Sequence, residues 1–508
     1  MKSKEREGKS EMECKNERIR IGIVGVLAFC VMELLFFGGF GIAVPIVVAA
    51  FYIGAAWQYK ERGEVSQFFK DKLFIPILFL AISFGLFSNP VLKFFNMIFL
   101  VLLMILQFGD LFGINTYERY DVKWFLQVLP LGLIMPFQNW AKALKSVKSS
   151  DEEVHEDRYK MQVIGKIAIG CVIGVPILLI AGGILMGADA AFEGMMNLIL
   201  SNIEIDLENI VPRLLIFTIL FFPLLGFFYG ITHQYEIRRR SKWEIEGIER
   251  AEGSHKTGID FTIAMTVSTL LALLYLLYIG SQLSYFISAF SSILPEHYTY
   301  AEYARRGFFE MIPIACLNLG VIGVLNLFVA GKEEPKKAKW IKVYAFFFIG
   351  FTLFIVMTAL SKMAMYMGIY GLTLKRIYVT WFLVLCVISL GLIALKMCKE
   401  KLKLFKSLFI VFTVMYLGLN YMNPDYQVAR YNADLYIQKE IDTIDSFYSL
   451  SLSAVEPFLE MNATAYEGYA NRLENYRWEI ERVDSWQEWN LSYHNANKLL
   501  KSLEEQKN

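Results

Sequence analysis

"VIGVLNLFVAGKEEPKKAKWIKVYAFFFIGFTLFIVMTAL", Val321 to Leu360, decides the fold. Two apolar runs, Phe308 to Ala330 and Val343 to Leu360, flank a short basic cluster, "KEEPKKAKW", at Lys332 to Trp340. Each run is close to the ~20 residues that a helix needs to cross hydrocarbon. No water is available there, so each crossing must satisfy its own backbone hydrogen bonds, which a helix does. The lysines between the two runs are the anchor expected on the cytoplasmic face.

Working outward, the pattern repeats. The 508 residues are 56% hydrophobic and only 19% charged, against about 25% charge in an ordinary soluble domain. The apolar excess falls into runs separated by basic clusters, which predicts an all-α, polytopic transmembrane helical bundle. A transmembrane barrel would need alternating ten-residue strands, and none is present. The net charge of +1 decides little. Six cysteines (Cys14, Cys30, Cys171, Cys316, Cys386, Cys398) show no paired or metal-binding spacing, and four of them lie inside apolar runs.

Ile21 to Trp57 reads as two crossings broken by the glycine turn "FGGFG", 37–41. Leu73 to Phe87 and Phe94 to Phe108 form a second hairpin, punctuated by "SNP" at 88–90. Trp124 to Phe137 is short and holds two prolines, so it is expected to be interfacial or re-entrant. The other crossings are Val163–Leu185, Ile210–Ile231, Ile259–Gly280, Phe308–Ala330, Val343–Leu360, Val379–Leu395 and Ser407–Met422. The total is eleven, with ten and twelve as the neighbouring counts.

With the N-terminus inside, the internal cytoplasmic loops hold 27 Lys and Arg and the outer loops hold 6. That asymmetry sets the orientation. The expected organisation is a charged cytoplasmic tail (1–20), two hairpins (21–110), a cytoplasmic or interfacial linker (111–160), a main bundle of about seven spans (161–422) and an extracytoplasmic helical C-terminal domain (423–508). In the last part Tyr469, Leu473, Tyr476, Ile480 and Val483 recur at helical spacing. This predicts an amphipathic helix over 466–484 that can run on to about 503.

The unusual polar residues collect at the outer ends. Glu302, Arg306 and Glu310 share a helix face, with Arg305 beside them and Tyr300 and Tyr303 in the same box. They read either as an interfacial cap or as a site at the outer mouth. Asp189 and Glu193 follow the fifth crossing; Lys362, Tyr366, Tyr370 and Arg376 lie between the ninth and tenth; Asn423, Asp425, Arg430 and Asn432 follow the eleventh. Glu33 is an intramembrane carboxylate in the first crossing, a functional candidate or a snorkelling group. Lys166 reads as a snorkelling anchor, and the five histidines share no metal-ligand spacing.

No HExxH, GxxxxGK[ST], GxSxG or GxGxxG unit is present, which points away from a nucleotide-driven pump or a zinc membrane protease. No cofactor and no metal are expected. The bilayer is the first partner, an envelope protein or lipid at the C-terminal domain is a second, and nucleic acid is not one. The functional expectation is a transport, sensory or assembly component with a polar site at the outer face. The alternative is a membrane enzyme acting on a lipid or envelope intermediate, with Glu302 or Asp189 as acid or base and arginines holding phosphate.

Six stretches carry a family resemblance: "ILMGADAAFE" (184–193), "HQYEIRRRS" (233–241), "YTYAEYARRGFFEM" (298–311), "MYMGIYGLTLKRIYVTWF" (365–382), "NPDYQVARYN" (423–432) and "SWQEWNLSYHNANKLL" (485–500). Over roughly 160–505 the chain resembles a family of uncharacterised bacterial inner-membrane proteins, defined only as a domain of unknown function. Its tyrosine–alanine–glutamate–tyrosine–alanine–arginine box is the most specific part. Residues 442–461 resemble the family's tail box, in which an acidic residue precedes the alanine–valine pair; here that position is Ser453. The resemblance implies a multi-pass bacterial plasma-membrane protein and no established activity, catalytic residue or cofactor.

Overall fold

Apolar runs of this length can hide their backbone polarity only as helices, and the computed structural model is built from them. It describes residues 2–60, 64–115, 117–146, 181, 185–186, 194–195, 207–233, 259–290, 300–327, 329, 334–399, 401–438, 445–461 and 467–505, excepting the side chains of 2–15, 207–208, 282–290, 300–311, 327 and 467. The principal helices are α1 (Lys2–Val31), α2 (Ala43–Tyr59), α3 (Phe74–Leu86), α4 (Pro90–Leu111), α5 (Met135–Ser146), α6 (Leu207–His233) and α7 (Phe261–Phe290). They continue with α8 (Tyr300–Leu327), α9 (Pro335–Tyr370), α10 (Leu374–Cys398), α11 (Leu404–Tyr421), α12 (Pro424–Ile437), α13 (Glu467–Glu481) and α14 (Leu491–Glu505). Among the described residues no strand forms; a single bridge joins Ile259 and Val329.

Seven of these stretches are long and apolar enough to cross a membrane: Asn16–Phe36, Pro90–Leu111, Asn209–His233, Phe261–Ser281, Pro335–Tyr370, Leu374–Cys398 and Leu404–Tyr421. Ala43–Tyr59, Phe74–Leu86 and Ile312–Asn326 are shorter apolar helices. Each falls on an expected crossing. The expected crossing Val163–Leu185 lies outside the described residues, apart from isolated positions.

Several boundaries move. The charged N-terminal tail is not separate from the first crossing: α1 is one helix from Lys2, and Glu17 and Arg20 on it are buried and paired. The basic cluster and the outer loop that flank the ninth crossing are mostly helix, because α9 runs for 36 residues. At 1.5 Å per residue it is roughly 54 Å long, well beyond a ~30 Å hydrocarbon core. Trp124–Phe137 is the stretch expected to be interfacial or re-entrant. It is helical in pieces, Val122–Leu126, a π-helical turn Pro130–Ile134, and then α5. The C-terminal helix does not run through to 503 either. It stops at Glu481, gives way to the short turn Trp486–Glu488, and restarts at Leu491.

The chain divides into two compact units: residues 1–86, 93–241 and 483–491 in the first, and residues 87–92, 242–482 and 492–508 in the second. In the first unit α5 packs along α6. Gly226 makes this possible: a Cβ there would sit 1.8 Å from the Pro136 carbonyl oxygen. A small residue at a helix contact allows such backbone approach. Trp140 meets Phe222 with ring centroids 5.0 Å apart.

The segment before α5 is held by charge. Arg119 Nη2 donates to Asp71 Oδ1 at 2.6 Å, and its Nε lies 3.0 Å from Asp110 Oδ2. Burial works against the Arg119 cation, but the two carboxylates outweigh it and raise its pKa. Asp110 also accepts from the indole Nε1 of the fully buried Trp124 at 2.7 Å.

In the second unit α7, α8, α9 and α10 share one apolar core. A chain of polar side chains runs through it. Tyr275 donates to Asn318 Oδ1 at 2.8 Å, Asn318 Nδ2 donates to Thr352 Oγ1 at 2.9 Å, and Thr352 donates to the Phe348 carbonyl at 2.7 Å. Between membrane helices such bonds each contribute roughly 0.6–2 kcal/mol and fix which faces meet. A second core is built around α12, α13 and α14, with Phe447, Phe458 and Tyr476 at its centre.

Candidate functional site

The "SNP" turn does more than end a hairpin. Asn89 precedes Pro90, the first residue of α4, and its Oδ1 accepts from Leu92 N at 2.8 Å. This is an N-cap followed by proline, a pairing that suits a helix start. The same side chain has an amide NH2 to spare. Nδ2 donates to Asp425 Oδ2 and, at 3.0 Å, to the Tyr378 hydroxyl.

Asp425 is 0% exposed, in the first turn of α12. Asn423, in the left-handed region at φ 51°, turns the chain out of α11, and Pro424 starts the new helix. Besides Asn89, the carboxylate receives the Ser451 backbone N–H at 2.7 Å on Oδ1. Among the described residues no Lys, Arg or His forms an ion pair with it. Its negative charge is met by two directed donors and by the positive end of α12. Three segments distant in sequence, 88–92, 424–437 and 450–453, therefore converge on one buried carboxylate.

Hydroxyls extend the cluster. Ser88 Oγ donates to Ser451 Oγ at 3.0 Å and lies 3.3 Å from Ser453 Oγ, which is 2.7 Å from Ser492 Oγ. Ser453, standing where the resemblance implies an acid, thus belongs to a chain of neutral hydroxyls. Arg472, also buried, donates to the Leu450 carbonyl at 2.6 Å, pairs with Glu479 at 3.1 Å and lies 3.7 Å from the Tyr476 ring centroid. Burial pushes the Tyr476 hydroxyl up to about 12, and raises the Glu479 carboxyl against the opposing pull of Arg472.

The expected outer-face residues fall into separate groups. Arg376 caps the end of α9: Nη1 donates to the Tyr370 carbonyl at 3.0 Å and to the Gly371 carbonyl, and the guanidinium lies 3.9 Å from the Tyr366 ring centroid. Beside it, Asn432 clasps Leu372 in both directions, accepting from its N–H at 2.7 Å and donating to its carbonyl at 2.8 Å. Arg430 is exposed and pairs with Asp434 and Glu460. Among the described ones, Asp425 lies at the centre of a buried polar cluster.

Asp189 and Glu193 lie outside the described residues. Tyr300, Glu302, Tyr303, Arg305, Arg306 and Glu310 lie on α8, and their side chains are outside the described set. Glu33 has a partner that the sequence did not point to. It sits in a π-helical turn, Met32–Phe36, and accepts from Arg213 Nε at 2.9 Å. The pairing offsets the cost of a carboxylate inside a crossing.

A second joint closes on the glycine turn within the first unit. Ser485 Oγ donates to the Gly38 carbonyl at 2.6 Å, and Ile42 N donates to the Trp489 carbonyl at 2.9 Å. Backbone meets backbone: a Cβ on Gly41 would lie 2.3 Å from the Glu488 carbonyl. Gly41→Val is expected to weaken this seat by about 2 kcal/mol. Limited proteolysis of the purified chain should then cut 483–491 roughly 30-fold faster, unless the seat contributes nothing.

The helices define a polytopic α-helical membrane protein. Within that class the chain belongs to the family described as "Domain of unknown function (DUF4153)", whose model matches residues 74–461. The match takes in the second hairpin, which the sequence resemblance left aside, and ends before the "SWQEW" box. No curated protein and no solved structure matches the chain.

Proposed function

We propose that this protein is a sensory or assembly component of a bacterial plasma membrane, with its N-terminus cytoplasmic and residues 423–508 forming an extracytoplasmic domain. The observation that carries this reading is the way connecting segments sort. In the first unit the 37–42 turn meets 485–489, and in the second unit 88–89 and 371–372 meet the 423–453 region. All were assigned to the outer side by lysine and arginine counts. Contacts among segments assigned inside are also like with like, Glu17 with His233 at 3.3 Å and Asp71 with Arg119 in the first unit, and in the second Ile259 meets Val329 at the ends of two crossings that adjoin inner loops. Charge distribution and contact pattern both support the reading.

The same geometry favours a relay over an enzyme. Both Asp425 oxygens are committed to structural donors, and the side chain has no exposure through which to exchange a proton with a substrate. What Asp425, Asn432 and Ser485 do instead is fasten the C-terminal region to the connecting segments of membrane helices. Anything bound by the C-terminal region would bias those segments.

Two measurements test the reading separately. In intact cells, a membrane-impermeant thiol reagent should label a cysteine placed at Lys498 and leave one placed at Lys399 unlabelled; the reverse pattern would invert the orientation. A photoreactive phenylalanine placed at Tyr448 or Trp478, both exposed, should crosslink to a discrete envelope component. Correct labelling with no discrete crosslink at either position would leave the topology intact and remove the sensory or assembly role.

A further inference from the structure

The tip of the first hairpin carries its apolar character into the open. Phe36 is 57% exposed, Phe40 46% and, on the segment seated against the turn, Trp486 58%. Trp486 belongs to a polar stretch, so hydropathy of the sequence gives no reason for an open indole there. Its position comes from its neighbours: Ser485 and Trp489 are hydrogen-bonded to Gly38 and Ile42, at the end of two apolar helices.

Those helices present exposed apolar side chains along their length, Phe29 on α1 and Ile53 on α2 among them. On helices of a membrane protein such a surface suits lipid tails. The open rings at the tip continue it in the same unit. Arg213 stands at the same level, its guanidinium 4.5 Å from the Phe37 ring centroid and its Nε on Glu33. Aromatic rings with an arginine among them are the composition favoured where headgroups meet acyl chains, since an indole or an arginine has an apolar body and a polar end.

We propose that Phe36, Phe40 and Trp486 form a wedge that seats the 485–489 segment in the headgroup–acyl boundary of the adjoining phospholipid leaflet. The occupant is lipid and not a protein because the wedge is continuous with the lipid-covered face of α1 and α2. The glycine turn lets one lipid-facing patch be assembled from chain segments more than 400 positions apart in sequence. The inference holds whichever leaflet is the outer one, so its failure and a failure of the orientation read differently.

The test uses the full chain, with native cysteines replaced by serine and Trp486→Cys carrying an environment-sensitive NBD label. It is reconstituted in phosphatidylcholine–phosphatidylglycerol vesicles. The expected result is blue-shifted emission, quenched several-fold more by lipids with a nitroxide high on the acyl chain than by nitroxides near its end, and barely by aqueous iodide. Quenching by iodide alone places the position in water and overturns the proposal. Shielding from both quenchers means that protein covers the wedge, which also overturns it. Should that variant fail to fold, the native chain and Trp486→Phe can be compared in brominated-lipid vesicles. The native chain should lose the larger share of its emission, and equal losses would refute the wedge.

Discussion

Asp425→Ala is expected to destabilise the second unit by about 3–5 kcal/mol. Removing the carboxylate takes the acceptor from the Ser451 backbone N–H and from one of the two N–H groups of the Asn89 amide, whose other bond goes to the Tyr378 hydroxyl. Each buried unsatisfied group costs about 1–3 kcal/mol. Replacing a buried ion with an apolar side chain can be harmless when its partners go with it, but here they stay. Asp425→Asn keeps the shape and one acceptor while turning an NH2 group toward a donor, so a loss of roughly half that size is expected. Urea unfolding in mild detergent, followed by tryptophan emission, gives both values. Asn89→Ala should cost about 1 kcal/mol through the lost cap of α4 alone. A double-mutant cycle with Asp425→Ala should return a coupling of at least about 1 kcal/mol. If Asp425→Ala lies within about 0.5 kcal/mol of the native chain, the carboxylate is not what joins the three segments.

Gly226→Val should be nearly as damaging, in the other unit. The first added carbon would lie 1.8 Å from the Pro136 carbonyl oxygen, on backbone that no side-chain rotation can clear. The α5 and α6 axes would have to part by more than an ångström, and the expected loss is about 3 kcal/mol or more, at the upper end for overpacking. Gly350→Val on α9 is the control, because nothing lies within 4 Å of the position that a Cβ would take. Its expected effect is within about 0.5 kcal/mol. Thermal unfolding of the two variants side by side, with Trp140 as the local reporter for the first, tests the close approach. Equal midpoints would mean that α5 is free to move aside.

The crossings were legible because hydrocarbon imposes one simple rule, a run of apolar residues of sufficient length. Lysine counts likewise give each loop an expected side of the membrane. The sequence also picked out Asp425, since an acid just past the last crossing is conspicuous. What it could not supply was the other half of each interaction. Asn89 read as punctuation because its target lies 336 positions away. Arg213 was hidden in an apolar run, so Glu33 was left without its counter-charge. Asp71, Asp110 and Arg119 carry no local signal in the sequence, although together with Trp124 they hold the segment before α5. The break after Glu481 was missed for a related reason. Helical periodicity continues through it, and what stops the helix is a seat for the 485–489 backbone on glycines near the start of the chain. Local pattern carries no information about such distant seats.

The bond from Ser485 to Gly38 spans 447 positions. At about 5–20 residues per second, a ribosome needs roughly 20–90 s to travel from one to the other. For that interval the first hairpin sits in the bilayer with its turn uncovered, and a chain that terminates early never covers it. The bare glycine tip would then distinguish an unfinished copy from a finished one, and any membrane quality-control protease that recognises mobile turns would meet the unfinished copy first.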